Sequence, residues 1–111
     1  QVLINLLRNA AVAIAASGGR IGVRVRGGPV GPLIEVWDSA GAIAPEDLHR
    51  VFEPFFTRAK GGTGLGLSTV HSIIHAHGGS ISVDSSPATG TTFSVKLRSA
   101  EGLLHGAHPD R

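Results

Sequence analysis

Two glycine pairs, Gly18-Gly19 and Gly78-Gly79, each stand where one periodicity stops and another begins. Before the first pair, Leu3, Leu6, Leu7, Ala10 and Ile14 recur at helical spacing, giving one apolar stripe over residues 1–17. After it, Ile21, Val23 and Val25 alternate with Gly22, Arg24 and Arg26, the pattern of a half-buried strand. Before the second pair, Leu67, Val70, Ile73 and Ile74 stripe a helix over about Leu65–Ala76, and Ser80–Asp84 alternates after it. Glycine is the usual helix stop because it takes the left-handed conformation without a Cβ clash. Between the two units, Gly27–Pro32 reads as a turn and Leu33–Trp37 as a second strand antiparallel to the first. Pro45 suits the first turn of a short helix, Glu46–Val51, with Glu46 and Asp47 at its positive end. The turn Ser85–Gly90 joins Ser80–Asp84 to Thr91–Leu97 as a hairpin. The order α-β-β-α-α-β-β predicts an α+β fold, a two-layer α/β sandwich whose mainly antiparallel sheet is covered on one face by helices.

A chain of 111 residues suggests one domain, and a hydrophobic fraction of 41% argues against disorder throughout. The absence of cysteine removes disulfides and thiolate metal sites. A net charge of +2 and a single aromatic-rich spot, Phe52–Phe56, give no support for nucleic-acid binding. No apolar run approaches the roughly 18 residues of a membrane span, and no secretory signal is visible. Gln1 already lies inside the helical pattern, which reads as a piece of a longer protein. Residues 99–111 have no period and are expected to form a mobile tail.

Three stretches invite chemistry. Gln1, Asn5 and Asn9 share a stripe at i, i+4 and i+8, offset from the leucines. Asparagine is a mediocre helix former, so two inside a helix need a reason. Polar surface is one; an amide oxygen turned to a hard cation such as Mg²⁺ is the other. The second stretch is Asp38, a carboxylate ending a strand before the small residues Ser39–Ala42, which is either a ligand anchor or a plain turn. The third is "GGTGLGLS", Gly61–Ser68, whose glycines let backbone N–H groups approach a ligand at a helix N-terminus. A flexible linker would have a similar composition, and neither familiar phosphate motif, G-x-x-x-x-G-K-[ST] or G-x-G-x-x-G, is met. His71 and His75 are spaced i, i+4, but no H-E-x-x-H pattern accompanies them and a structural zinc is disfavoured.

In order along the chain, "NLLRNA" (Asn5–Ala10), Asp38 with its loop, "FEPFFTR" (Phe52–Arg58), "GGTGLGLS" and "GTTFSVKL" (Gly90–Leu97) follow the N, G1, F, G2 and final glycine boxes. The chain resembles the catalytic ATP-binding domain of bacterial sensor histidine kinases, in the GHKL ATPase superfamily, with the nitrogen-regulation type the most similar. The likeness spans residues 1–98 and implies a Bergerat-type fold, here lacking its first strand.

The resemblance implies roles residue by residue. Asn5 would act near the transferred γ-phosphoryl group, and Asn9 would hold Mg²⁺. Asp38 would accept a hydrogen bond from the adenine amine, with Gly41 and Ile43 in the same wall. Gly62, Thr63, Gly64, Leu65, Gly66 and Leu67 would line the phosphates and their lid. Phe52, Phe55 and Phe56 would anchor that lid, and Thr92 would lie behind the adenine pocket and support Asp38 through water. Arg58 or Lys60 would reach phosphate from the lid. The family usually has glycine where Ala40 and Ala42 stand, which predicts weakened or retained binding. The implied activity is that of a protein histidine kinase in two-component signalling: Mg-ATP supplies phosphate to a histidine on a separate dimerisation domain, then to a response regulator. None of the six histidines is followed by the acidic residue typical of that acceptor, so this piece alone is not expected to autophosphorylate. The whole protein is expected to be a homodimer, soluble or anchored in the inner membrane, with this domain in the cytoplasm. The alternatives are a degenerate nucleotide-binding scaffold and another GHKL ATPase, such as an anti-sigma-factor kinase, chaperone or topoisomerase.

Overall fold

The computed structural model describes residues 1–15, 18–29, 31–40, 43–57 and 65–98. The expected mobile tail, 99–111, lies outside them. The elements are α1 (Val2–Ala15), β1 (Ile21–Arg26), β2 (Leu33–Asp38), a 3₁₀ turn (Pro45–Asp47), α2 (Gly66–Ala76), β3 (Ser80–Ser86) and β4 (Gly90–Lys96). The sheet order is β1-β2-β4-β3 with every pair antiparallel, and α1 and α2 pack together on one face. The α+β sandwich read from the periodicities is therefore the fold.

Strand alternation explains which side carries the core. Val23, Val36, Phe93 and Val83 form one cross-strand row, and Val36 and Phe93 are buried in it. They meet Leu6 of α1 and Val70 and Ile74 of α2, with Val51 and Val95 completing the cluster. Burial of this kind contributes about 25 cal/mol per Å² of apolar surface, so the row is a major source of stability. The α1 stripe is narrower than its spacing suggests. Leu6 and Ala10 are buried and Leu7 is half-buried, but Leu3 is exposed because the helix turns its centre line, through Leu6 and Ala10, onto the sheet.

One local expectation changes and another holds. The helix expected over Glu46–Val51 is only the 3₁₀ turn Pro45–Asp47, followed by further turns closed by the Arg50 N–H to Asp47 and Glu53 N–H to Arg50 carbonyl bonds. Pro45 presets φ for such a turn, but a segment as short as Glu46–Val51 rarely sustains an α-helix unaided. Gly18 and Gly78 stop α1 and α2 with φ of +76° and +75°, as the glycine pairs suggested.

Candidate functional site

Asp38 is the last residue of β2. Its position on the core-facing side follows from the pleat, since Val36 two residues earlier is buried. The side chain is 2% exposed. Among the described residues, one hydrogen bond to its carboxylate is seen, from the Ala40 N–H to Oδ1 at 3.1 Å. Among the described residues no donor to Oδ2 is seen, and no buried side-chain nitrogen or oxygen is both sealed and unpartnered. Burial raises the Asp38 pKa above its ordinary 3.8, and the Ala40 N–H partly offsets this. A buried acceptor with spare capacity is costly unless a donor reaches it.

The loop after Asp38 is tied down at both sides. The Arg20 N–H donates to Ser39 Oγ at 2.8 Å, and the Ser39 N–H donates to the Arg20 carbonyl at 2.9 Å. Further on, the Ile43 N–H donates to Ser85 Oγ at 2.8 Å. Ala40 is buried, and its backbone does not need the freedom of glycine: Phe55 is the only non-glycine described residue with positive φ. A methyl at position 40 is thus compatible with the backbone here. Gly41 and Ala42 lie outside the described residues.

The cross-strand partner of Asp38 is Thr91, which is buried, and the partner of Thr91 on β3 is Ser85. Asp38, Thr91 and Ser85 thus form one row across three strands, and the Thr91 and Ser85 hydroxyls lie 2.7 Å apart. Thr92 does not take the place expected of it. It pairs with Trp37 and so faces the opposite side of the sheet from Asp38. The threonine beside the carboxylate is Thr91. Thr91 and Ser85 are the residues that motif order misses; the burial parity of "TTFSV" is the signal that finds Thr91, and no comparable signal marks Ser85.

The asparagine stripe lies on α1, which touches both α2 and β2 and so runs between the elements bearing Gly66 and Asp38. The Asn5 amide donates to the Gly66 carbonyl at 3.4 Å, a weak bond that ties α1 to the start of α2. Asn9, one turn on, is half-buried with no hydrogen bond seen among the described residues. Helix α2 begins at Gly66 without a side-chain cap, which leaves its first N–H groups to other acceptors. A Cβ built on Gly66 would meet nothing within 4 Å. The protein's own packing therefore does not demand glycine there. Leu67 and Ile43 pack against the core, and Leu65 is exposed. Gly62, Thr63, Gly64, Arg58 and Lys60 lie outside the described residues.

The phenylalanines divide. Phe52 meets Phe93 edge-on at 6.0 Å and His71 at 5.5 Å. Phe56 packs on the core and carries the Arg50 guanidinium 4.6 Å over its ring. Phe55 is no anchor to the core: it is 74% exposed and held at φ 69°. The histidines have structural partners, with His71 stacked on His75 at 5.8 Å and His77 Nδ1 2.8 Å from the Ile73 carbonyl. Among the described residues no group of three or more His, Cys, Asp or Glu could hold a metal, and no helix is long and apolar enough to cross a membrane.

A cavity of about 370 Å³ lies at the other end of the strands, lined by Leu3, Leu6, Ile34, Ile73, Val95 and Leu97. It is almost wholly apolar, whereas the Asp38 end presents an acceptor and the Thr91 and Ser85 hydroxyls; the uncapped start of α2 is tied to Asn5 of α1. These groups fit a magnesium nucleotide in kind: a buried acceptor for a base amine, N–H groups for phosphate, and a half-buried amide oxygen for a hard cation.

Residues 1–101 match the family of histidine kinase-, DNA gyrase B- and HSP90-like ATPases, and the chain belongs to that family. It is 44% identical over 97 residues to the sensor histidine kinase ZraS of Escherichia coli (strain K12), covering 87% of this chain and 21% of that protein. It is 44% identical over 101 residues to the C4-dicarboxylate transport sensor protein DctB of Rhizobium meliloti, covering 90% and 16%. Among solved structures, the mycobacterial sensor histidine kinase MprB superposes with a TM-score of 0.77 at 34% identity, covering 87% of this chain and 69% of that one. The catalytic domain of histidine kinase ThkA gives 0.77 at 36% identity, covering 88% and 65%. The chain spans about a fifth or less of the length of these curated relatives.

Proposed function

We propose that this chain binds Mg-ATP and presents its γ-phosphoryl group to a histidine on a separate dimerisation domain of a sensor kinase, from which phosphate passes to a response regulator. The observation that carries the reading is Asp38: a carboxylate 2% exposed at a strand end, whose one hydrogen bond seen among the described residues is from the Ala40 N–H to Oδ1. An acceptor so placed selects a ligand that offers a donor, and penalises one that does not. The adenine amine is such a donor. The chain's residues then have distinct tasks. Asp38 fixes the base, with Thr91 rather than Thr92 as the adjoining hydroxyl. The first N–H groups of α2 receive phosphate oxygens, and Gly66 permits close approach. Asn9 would hold Mg²⁺ through its amide oxygen, and that ion, when bound, supplies charge neutralisation on the phosphates. Asn5 would orient the end of the phosphate chain from one turn away. In such transfer the protein contributes mainly positioning and electrostatics, so rigid placement of these groups is its main contribution to catalysis. The whole protein would act as a homodimer, with this domain on the cytoplasmic side.

The test is calorimetric titration of the chain with a non-hydrolysable ATP analogue, with and without Mg²⁺, beside Asp38→Asn and Asn9→Ala. The expected result is binding that strengthens with Mg²⁺, weakens about 10- to 100-fold in Asp38→Asn, and loses its Mg²⁺ dependence in Asn9→Ala. Absence of heat from a sample with intact circular dichroism would overturn the reading.

A further inference from the structure

The Ser85 hydroxyl lies at a junction. It accepts the Ile43 N–H at 2.8 Å and stands 2.7 Å from Thr91 Oγ1. Thr91 is in turn the cross-strand partner of Asp38. Two hydroxyls at this distance share one proton between them, so the proton of the other is free to point elsewhere. The contact with Ile43 favours one of the two arrangements. A hydroxyl that already accepts a backbone N–H is polarised toward donating its own proton. In the arrangement this favours, Ser85 donates to Thr91 and the Thr91 proton turns away from Ser85. Asp38 and Thr91, paired across β2 and β4, then stand as an acceptor beside a donor.

That polarity distinguishes purines. The edge of adenine offers an exocyclic amine donor beside a ring-nitrogen acceptor. Guanine offers the reverse, a carbonyl acceptor beside a ring N–H donor. We infer that Ser85 is a positioning residue for base selection: by accepting the Ile43 N–H and donating to Thr91, it holds the Thr91 hydroxyl as a donor beside Asp38, favouring adenine over guanine. The inference rests on the reading of Asp38 as the base anchor. Ser85 also fixes the far side of the Asp38 loop through Ile43, which packs on the core.

The test compares non-hydrolysable ATP and GTP analogues on wild type, Ser85→Ala, Ser85→Cys and Ser85→Thr. Ser85→Ala removes the hydroxyl. Ser85→Cys keeps the volume but hydrogen-bonds weakly, so one of the two is informative even where the other folds poorly. The expected result is a fall of about 5- to 20-fold in ATP-analogue affinity for the Ala and Cys variants, with a narrowed ATP-to-GTP ratio. Ser85→Thr should restore that ratio. A merely structural role would weaken both nucleotides alike. An unchanged ratio in Ser85→Ala and Ser85→Cys, with wild type binding ATP through Asp38, would overturn this inference alone. Failure of folded wild type to bind either analogue would overturn the base-anchor reading and this inference with it.

Discussion

Gly90 stands against the backbone of Asp38: a Cβ at position 90 would overlap the Asp38 carbonyl oxygen and also crowd Ser39 Cα. Gly90 opens β4 with φ at +84°, so both its conformation and its neighbour exclude a side chain. The closeness seats the strand bearing Thr91 beside the strand bearing Asp38. Gly90→Ala is expected to destabilise the domain by about 3 kcal/mol or more, because the atom it meets is backbone and cannot rotate aside. Urea unfolding measures this. A loss below about 1 kcal/mol would show that the two strands separate easily.

Asp38 itself stabilises the empty domain least when it is ionised. Burial raises its folded-state pKa above the ordinary 3.8, so the folded state holds the proton more tightly than the unfolded chain. The favourable contribution is full below the unfolded value and is lost as pH rises through the raised folded value. Asp38→Asn cannot ionise. Unfolding titrations from about pH 4 to about pH 7 should therefore show the variant gaining on wild type as pH rises, while it loses nucleotide affinity. A stability difference independent of pH would mean that Asp38 titrates alike in both states.

Phe55 carries backbone strain without packing gain. Its φ is 69° and its side chain is 74% exposed. The left-handed region costs a residue with a Cβ roughly 1–2 kcal/mol, and asparagine tolerates it better. Phe55→Asn is expected to stabilise the domain by about 0.5–1 kcal/mol, read as a rise in Tm. A fall in Tm would show that the exposed ring contributes contacts worth more than the strain.

These positions also mark what the sequence makes legible. Helices and strands were readable because the apolar residues change from helical to alternating spacing at Gly18-Gly19 and Gly78-Gly79, and each change is a physical boundary. Asp38 was readable because an acidic residue ends an apolar strand. Thr91 was lost to Thr92 because motif order says which box a residue belongs to, but not which face of the sheet it occupies. Parity supplies that: Phe93 and Val95 are buried, so Thr91 must be on their side. Ser85 was illegible for another reason. Its role depends on hydrogen bonds to Ile43 and Thr91, and the first partner is 42 residues away. The short helix after Pro45 was overread because proline marks a start and says nothing of length.

Gly66 separates what folding needs from what binding needs. It begins α2, and a Cβ there would point into open space. Alanine is favoured over glycine in a helix by about 1 kcal/mol, so Gly66→Ala should leave the fold intact or stabilise it by up to that amount. The same methyl would stand where phosphate is proposed to approach the first N–H groups of α2, lengthening those bonds and lowering their strength. The expected result is an unchanged or higher Tm together with about tenfold weaker binding of the non-hydrolysable ATP analogue. Unchanged affinity in the folded variant would mean that the phosphates do not come close to the start of α2. The glycine would then be explained by neither packing nor ligand approach.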